Sequence, residues 1–284
     1  MSAATPTPAR APRLLSPAQV HTFGQQGILH PLPVLRDEEA STLLGQYMAQ
    51  ADFLRGRNNK KPHLLFTWLD ALVRDPRILD AVEDLLGPDL LCWSSQFFAK
   101  PAGDKAYVSW HQDATYWGLS SHDILTAWVA LSPSTPRAGC MRVVPGTHHA
   151  QVAHRENEDD GANMLTRGQE IAVRVDPAQV LDVVLAPGQM SLHHVLLFHG
   201  SEANRADHAR VGFAIRYAPT HVRQLSPLRD SALLVRGRDV HGHFDLERSP
   251  RADLHPEAVA HHAAVVEQNL RMLYAGSKRR RPRD

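Results

Sequence analysis

Leu181-Asp-Val-Val-Leu-Ala-Pro-Gly-Gln-Met190 is the stretch on which the fold turns. Apolar and β-branched residues run up to a Pro-Gly pair and resume after it, which reads as a strand, a tight reversal and a second strand. The second strand is expected to continue through Leu192 to Phe198 and to deliver His199. Further on, Arg210-Val-Gly-Phe-Ala-Ile-Arg-Tyr217 alternates cleanly. Side chains of a strand point to opposite faces in turn. Val211, Phe213, Ile215 and Tyr217 therefore share one face, and Arg210, Gly212, Ala214 and Arg216 the other. Two small residues leave room there beside two cations.

Working outward, short strands punctuated by Gly and Pro fill residues 90–219, and Ile124 to Leu131 is apolar enough for a strand buried on both faces. The expected fold is mainly β with flanking helices, around a double-stranded β-helix core of the jelly-roll, cupin-like kind. Ser16 before Pro17 caps a first helix, and Asp37-Glu-Glu-Ala opens a second with an apolar stripe of Leu43, Leu44, Tyr47 and Met48. A third spans Pro76 to Leu86 and stops at Gly87. Val259, Ala263, Val266, Leu270 and Leu273 recur at helical spacing, predicting a last helix outside the sheet with His261 and His262 on its surface. The organisation is a disordered lead over 1–15, one domain over 16–275 and a basic tail over 276–284.

The chemistry is carried by Trp110-His-Gln-Asp113. On a strand, positions i and i+2 lie on one face about 6.5–7 Å apart, so His111 and Asp113 can take adjacent corners of a metal polyhedron while Gln112 faces away. With His199 as third ligand, two imidazoles and one carboxylate occupy one face of the ion, the donor set of a non-haem Fe(II) site with open positions. Zn(II) would normally close to a tetrahedron instead. Arg210, if buried, needs an anion, which a 2-oxo acid beside the open metal face would supply.

Four segments together resemble the phytanoyl-CoA dioxygenase family of Fe(II)- and 2-oxoglutarate-dependent oxygenases: Trp110-His-Gln-Asp113, Thr126-Ala-Trp-Val-Ala-Leu131, Gly139-Cys-Met-Arg-Val-Val-Pro-Gly-Thr-His148, and His199-Gly-Ser-Glu-Ala-Asn-Arg-Ala-Asp-His-Ala-Arg210. The resemblance implies that His111, Asp113 and His199 bind iron and that Arg210 pairs with the distal carboxylate of 2-oxoglutarate. It also implies supporting contacts to that co-substrate from Ser201 and Trp128, and from Gln96, Gln112 or Lys100. Some members of the wider fold halogenate, with a small residue in place of the carboxylate. Asp113 fills that position here, so hydroxylation or desaturation with O2, succinate and CO2 is the expected chemistry. Substrate-facing candidates are Tyr116, Trp117, His194 and Arg216. Tyr116 and Trp117 are adjacent, so in a regular strand only one can line the pocket.

Composition limits the remaining possibilities. The 284 residues are 43% hydrophobic, and 31 basic against 30 acidic side chains leave a formal charge of +1, which gives no reason to invoke nucleic acid. The basic run Lys278-Arg-Arg-Arg-Pro-Arg283 reads as a solvated tail. Cys92 and Cys140 cannot build a disulfide framework and fit a reducing cytoplasm, and no stretch approaches a membrane span. Two polar stretches, 149–176 and 225–247, are candidate lid or substrate loops; the second offers Arg229, Arg236, Arg238, His241 and His243. The expected partner is a small-molecule metabolite. Two other readings remain open: a cupin-type metal enzyme that does not use 2-oxoglutarate, and a jelly-roll binding protein without catalysis.

Overall fold

In the computed structural model, which describes residues 13–156, 161–165 and 168–274, helices precede and follow a β-rich middle. Helix α1 (Pro17–Gln26) starts on Ser16, whose hydroxyl accepts from the Gln19 amide while Gln19 reaches back to Ser16, and it ends at Gly27 in the left-handed region. Helices α2 (Asp37–Ala49), α3 (Thr67–Val73) and α4 (Pro76–Leu86) follow, the last capped by the Asp75 carboxylate on the Arg77 amide. Helix α5 (Pro256–Leu273) comes after the sheets.

The strands are β1 (Ile28–Pro33), β2 (Leu90–Lys100), β3 (Val108–His111), β4 (Leu125–Ala130), β5 (Met141–Val144), β6 (His154–Glu156), β7 (Gln169–Ile171), β8 (Leu181–Val183), β9 (Gln189–His194), β10 (Phe198–Ser201), β11 (Arg210–Pro219), β12 (Ser231–Arg236) and β13 (Asp245–Leu246). Seven form a major sheet in the order β1-β9-β4-β11-β2-β12-β13, and four form a minor sheet, β3-β10-β5-β8. All pairs in these two sheets but β12 with β13 are antiparallel. The chain switches repeatedly between the sheets, as a jelly roll requires.

The alternation of β11 is realised as its sequence predicts. Val211, Phe213, Ile215 and Tyr217 join Leu125, Ala127, Val129, Met190 and Leu192 in the core between the major sheet and the helices. Tyr217, fully buried, also donates its hydroxyl to the Val73 carbonyl at 2.9 Å, tying β11 to the end of α3. The opposite face of the sheet contributes Trp128, Ala130 and Ala214 to a second core with Met141, Val143 and Val183 of the minor sheet. The site lies between these two sheets.

The Pro187-Gly188 turn joins β8 to β9 as expected. Gly188 has φ +79°, and a Cβ there would lie 2.4 Å from the Leu35 carbonyl oxygen, so only glycine fits. Beyond this turn the chain does not run as one strand from Met190 to Phe198. β9 ends at His194 in the major sheet, a turn spans 195–197, and β10 starts at Phe198 in the minor sheet. His194 builds that corner: its carbonyl accepts from the Leu197 amide at 2.9 Å and its Nδ1 from the Leu196 amide at 3.1 Å.

Two further expectations change. His262 is buried, not on the surface, with Nε2 against the Lys60 carbonyl at 2.7 Å. The last helix therefore packs closely onto the 60s segment. In the 225–247 stretch, Arg236 pairs with Asp80 and Glu83, and Arg229 with Asp245, so these guanidinium groups serve the scaffold. The stretch 149–176 carries the β6-β7 hairpin, while its residues 157–160 and 166–167 lie outside the described residues, as do the lead over 1–12 and the tail from 275 onward, which includes the basic run.

Candidate metal centre and active site

His111 closes β3 and faces His199 across the ladder, the two being direct partners in the β3-β10 register. Their rings sit 4.0 Å apart. Asp113 is not on the strand. Gln112 is extended (φ −115°, ψ 131°), and Asp113 opens a single turn of 3-10 helix, Asp113–Tyr116. The extended residue between them still turns both ligand side chains the same way. Asp113 Oδ1 lies 3.5 Å from His111 Nε2, and Oδ2 lies 4.0 Å from His199 Nε2. One donor atom from each of the three falls within 4.8 Å of the others, the single such cluster among the described residues.

Each imidazole is oriented from behind. His111 Nδ1 donates to the Ser109 carbonyl at 2.9 Å and His199 Nδ1 to the Leu197 carbonyl at 2.9 Å. This leaves both Nε2 lone pairs directed toward Asp113, the tautomer a metal ligand needs. Burial pushes His199 well below the ordinary histidine range, with the nearby His111 adding to the effect, so it is held neutral. Burial would raise Asp113, but the neighbouring His111 and the charge of Arg216 outweigh it and hold the carboxyl well below its usual range. Two imidazoles and one ionised carboxylate on one side of a common point fit a divalent first-row metal.

Beside the triad lies a cavity lined among others by Trp128, Met141, His193, Ser201, Arg210 and Arg216. Arg210 is 2% exposed, and its Nε and Nη2 have no hydrogen-bond partner among the described residues. Burial presses its guanidinium down to about 10, still charged at neutral pH. Its Cζ stands 5.4 Å from the Trp128 ring centroid. That approach depends on Gly212, where a Cβ would lie 1.9 Å from the indole. Asp113 is the only acidic residue among the described residues that line this cavity. A buried, unpaired cation facing a cavity calls for an anionic ligand.

Ser201 and Trp128 line the cavity with Arg210, as expected. Lys100 does not. Its ammonium donates to Ser201 Oγ at 2.7 Å and to the Glu202 carbonyl, behind Ser201. Burial, with Arg210 nearby, lowers it to about 7. Gln112 is also displaced from the expected role: its amide nitrogen bonds the carbonyls of Ala150 and Leu196, and its oxygen accepts from the Val152 amide. It clamps two backbone segments, 150–152 and 196, behind His111 and Asp113. Gln96 lines a larger adjoining cleft rather than the inner cavity.

Among the substrate candidates, Arg216 lines both spaces and Trp117 the larger one. The 3-10 turn at 113–116 removes the strand alternation assumed for Tyr116 and Trp117, and the Tyr116 side chain lies outside the described residues. His194 points away, toward Phe23 and His148. Its neighbour His193 takes the place instead, 4.9 Å from the His199 ring and lowered to about 4, chiefly by burial. The signal was in the sequence: Met190 and Leu192 share parity with His194 and face the helical core, so Ser191 and His193 face inward. Thr126, Phe98, Met141 and Lys60 were also missed, and each lines one or both spaces.

Fold and site together define a jelly-roll protein with a two-histidine, one-carboxylate triad beside a buried arginine whose Nε and Nη2 lack hydrogen-bond partners among the described residues. Residues 9–212 match the family model of phytanoyl-CoA dioxygenase (PhyH), and the chain belongs to that family. It is 30% identical over 164 residues to the probable alpha-ketoglutarate-dependent hypophosphite dioxygenase of Stutzerimonas stutzeri, covering 57% of each chain. The chain spans about half the length of the curated relatives it matches. Among solved structures, the apo form of the non-heme monooxygenase ThoJ superposes with a TM-score of 0.82 at 36% identity, covering 92% of this chain and 100% of that one. CytC3 with Fe(II) and alpha-ketoglutarate gives 0.66 at 26% identity, covering 84% and 96%.

Proposed function

We propose that this chain is an Fe(II)- and 2-oxoglutarate-dependent dioxygenase that hydroxylates an unactivated C–H bond of a small-molecule metabolite, releasing succinate and CO2. The observation that carries the reading is the shared cavity: a triad of His111, Asp113 and His199 opens into the same space as the unpaired Arg210. Bound iron would supply the activation of dioxygen that no side chain can provide. His111, Asp113 and His199 would hold the ion. Arg210 takes the distal carboxylate of 2-oxoglutarate, with Trp128 under its guanidinium. Ser201, fixed by Lys100, offers its hydroxyl to the same carboxylate.

The protein's further tasks are exclusion and aim. Val108, Met141 and Ala214 make the inner wall apolar and keep bulk water from the metal side. Leu165, from the 149–176 stretch, lines both spaces and supports a covering role for that stretch. The filled carboxylate position at Asp113 supports hydroxylation over halogenation. Two buried free thiols, Cys92 and Cys140, support a reducing compartment such as the cytoplasm. Among the described residues no helix is long and apolar enough to cross a membrane.

The test needs no knowledge of the substrate. Purified metal-free protein is titrated anaerobically with Fe(II) and then with 2-oxoglutarate while visible absorption is followed. A weak charge-transfer band requiring both additions is expected, absent in Asp113→Ala and shifted to far higher 2-oxoglutarate concentration in Arg210→Ala. Wild-type protein with iron bound but no band would sink the reading.

A further inference from the structure

The larger cleft carries charge that the oxygenase reading leaves unused. Arg216 is 9% exposed, its Nε is buried without a hydrogen-bond partner, and its guanidinium forms no ion pair among the described residues. It is held by aromatic faces instead, with Cζ 5.3 Å from the Trp117 ring and 6.0 Å from the Phe98 ring. Trp117 in turn packs on Trp93 at 4.8 Å, so one wall is a run of flat apolar surface. A second cation, Lys60, lines the same cleft. Burial and the neighbouring charge of Arg216 lower its ammonium to about 8. Asp113, already assigned to the metal, is the only carboxylate among the described residues of the lining.

Two cations without a free counter-ion in that lining, set in an aromatic wall, make an anion site distinct from Arg210. The two arginines lie on one face of β11, six residues apart, or about 20 Å along a strand. Arg210 lines only the inner cavity, whereas Arg216 and Asp113 line both spaces. The cleft therefore reaches Asp113 past Arg216 and not past Arg210.

We propose that the substrate is a carboxylate bearing an aromatic or similarly flat apolar body, its anion held by Arg216 with Lys60 and its body lying against Phe98 and Trp117. The inference names the substrate class of the oxygenase proposed above and rests on that reading for the word substrate. A guanidinium stacked between aromatic rings keeps its in-plane donors free for a carboxylate. Such a contact also fixes one end of a molecule while the other points at the triad.

The test uses full-length, metal-free protein and three probes of one carbon skeleton: 3-phenylpropionate, its neutral amide and the cationic 3-phenylpropylamine, each measured by calorimetry and ligand-observed NMR with and without 2-oxoglutarate. The carboxylate is expected to bind about tenfold tighter than the amide, with the amine weakest. Arg216→Gln should erase the preference and Lys60→Gln reduce it. Arg216→Lys should restore part of it, which separates lost charge from lost folding, and Arg210→Gln should leave it intact. Equal binding of the three probes, or no saturable binding of the carboxylate, would overturn the proposal. So would displacement of the probe by 2-oxoglutarate together with equal loss of 2-oxoglutarate affinity in the Arg216 and Arg210 variants, because the second anion would then belong to the co-substrate. The probe preference is read without metal, and the charge-transfer band without probe, so either reading can fail alone.

Discussion

Gly212→Ala should damage 2-oxoglutarate binding through Trp128, without altering Arg210 or Ser201. A Cβ at this position would lie 1.9, 2.2 and 2.4 Å from three atoms of the Trp128 ring, where ordinary contacts begin at about 3.4 Å. The ring cannot slide aside freely, since Trp128 is 4% exposed and packs with Met141 and Ala214 between the sheets. Overpacking of this kind costs about 1–3 kcal/mol, or roughly 3–10 °C in melting temperature for a chain of this size. The displaced indole would also leave its place 5.4 Å from the Arg210 guanidinium. A desolvated cation–π contact is worth about 1–2 kcal/mol, so 2-oxoglutarate affinity should fall roughly 5- to 30-fold. Thermal melts and 2-oxoglutarate titrations of Fe(II)-loaded protein under argon would measure both. In a Trp128→Ala background the added methyl should cost almost nothing, because the atoms it strikes are gone. Equal costs in the two backgrounds, or unchanged affinity in Gly212→Ala, would refute the account.

Two predictions concern stability alone. Tyr217→Phe removes the buried hydroxyl that bonds the Val73 carbonyl and should cost about 1–3 kcal/mol, seen as a melt lowered by several degrees with metal and 2-oxoglutarate titrations unaltered. Glu247 is fully buried against Lys61 at 2.5 Å and His63 at 3.4 Å; burial would raise its carboxyl, but the Lys61 charge and the His63 hydrogen bond hold it down to about 2. A depressed carboxyl stabilises the fold above its unfolded value near 4.5 and loses that contribution as pH falls toward 2. His63, lowered chiefly by burial, acts in the same direction from about 6.5 downward, since the unfolded chain takes up the proton first. Melting temperature should therefore drop steadily on acidification below about 6.5. Glu247→Gln should lose about 3–5 kcal/mol at neutral pH by stranding Lys61, and its melt should be flatter below about pH 4.5.

Local pattern alone placed much of this molecule. Alternation in a strand is a property of the backbone, so Arg210, Gly212, Ala214 and Arg216 could be set on one face before any partner strand was known. Pro17 after Ser16, and Gly87 after Leu86, marked helix ends for equally local reasons, namely orphan amides and left-handed backbone. The His111, Asp113 and His199 set was legible because metal chemistry restricts residue type and spacing, and the surrounding family motifs reinforced it. Tertiary structure decided what depends on which sheet a strand joins. The corner at 195–197 breaks an apolar run that reads as continuous. Gln112 is drawn away by the carbonyls of Ala150 and Leu196, distant in sequence, and the 3-10 turn after it undoes the alternation assumed for Tyr116 and Trp117. Lys60, Arg216 and the last helix meet around one cleft only because burial of Val266 and Leu270 brings α5 against the 60s segment. Periodicity records the face a residue takes on its own element, whereas long-range packing chooses what that face meets.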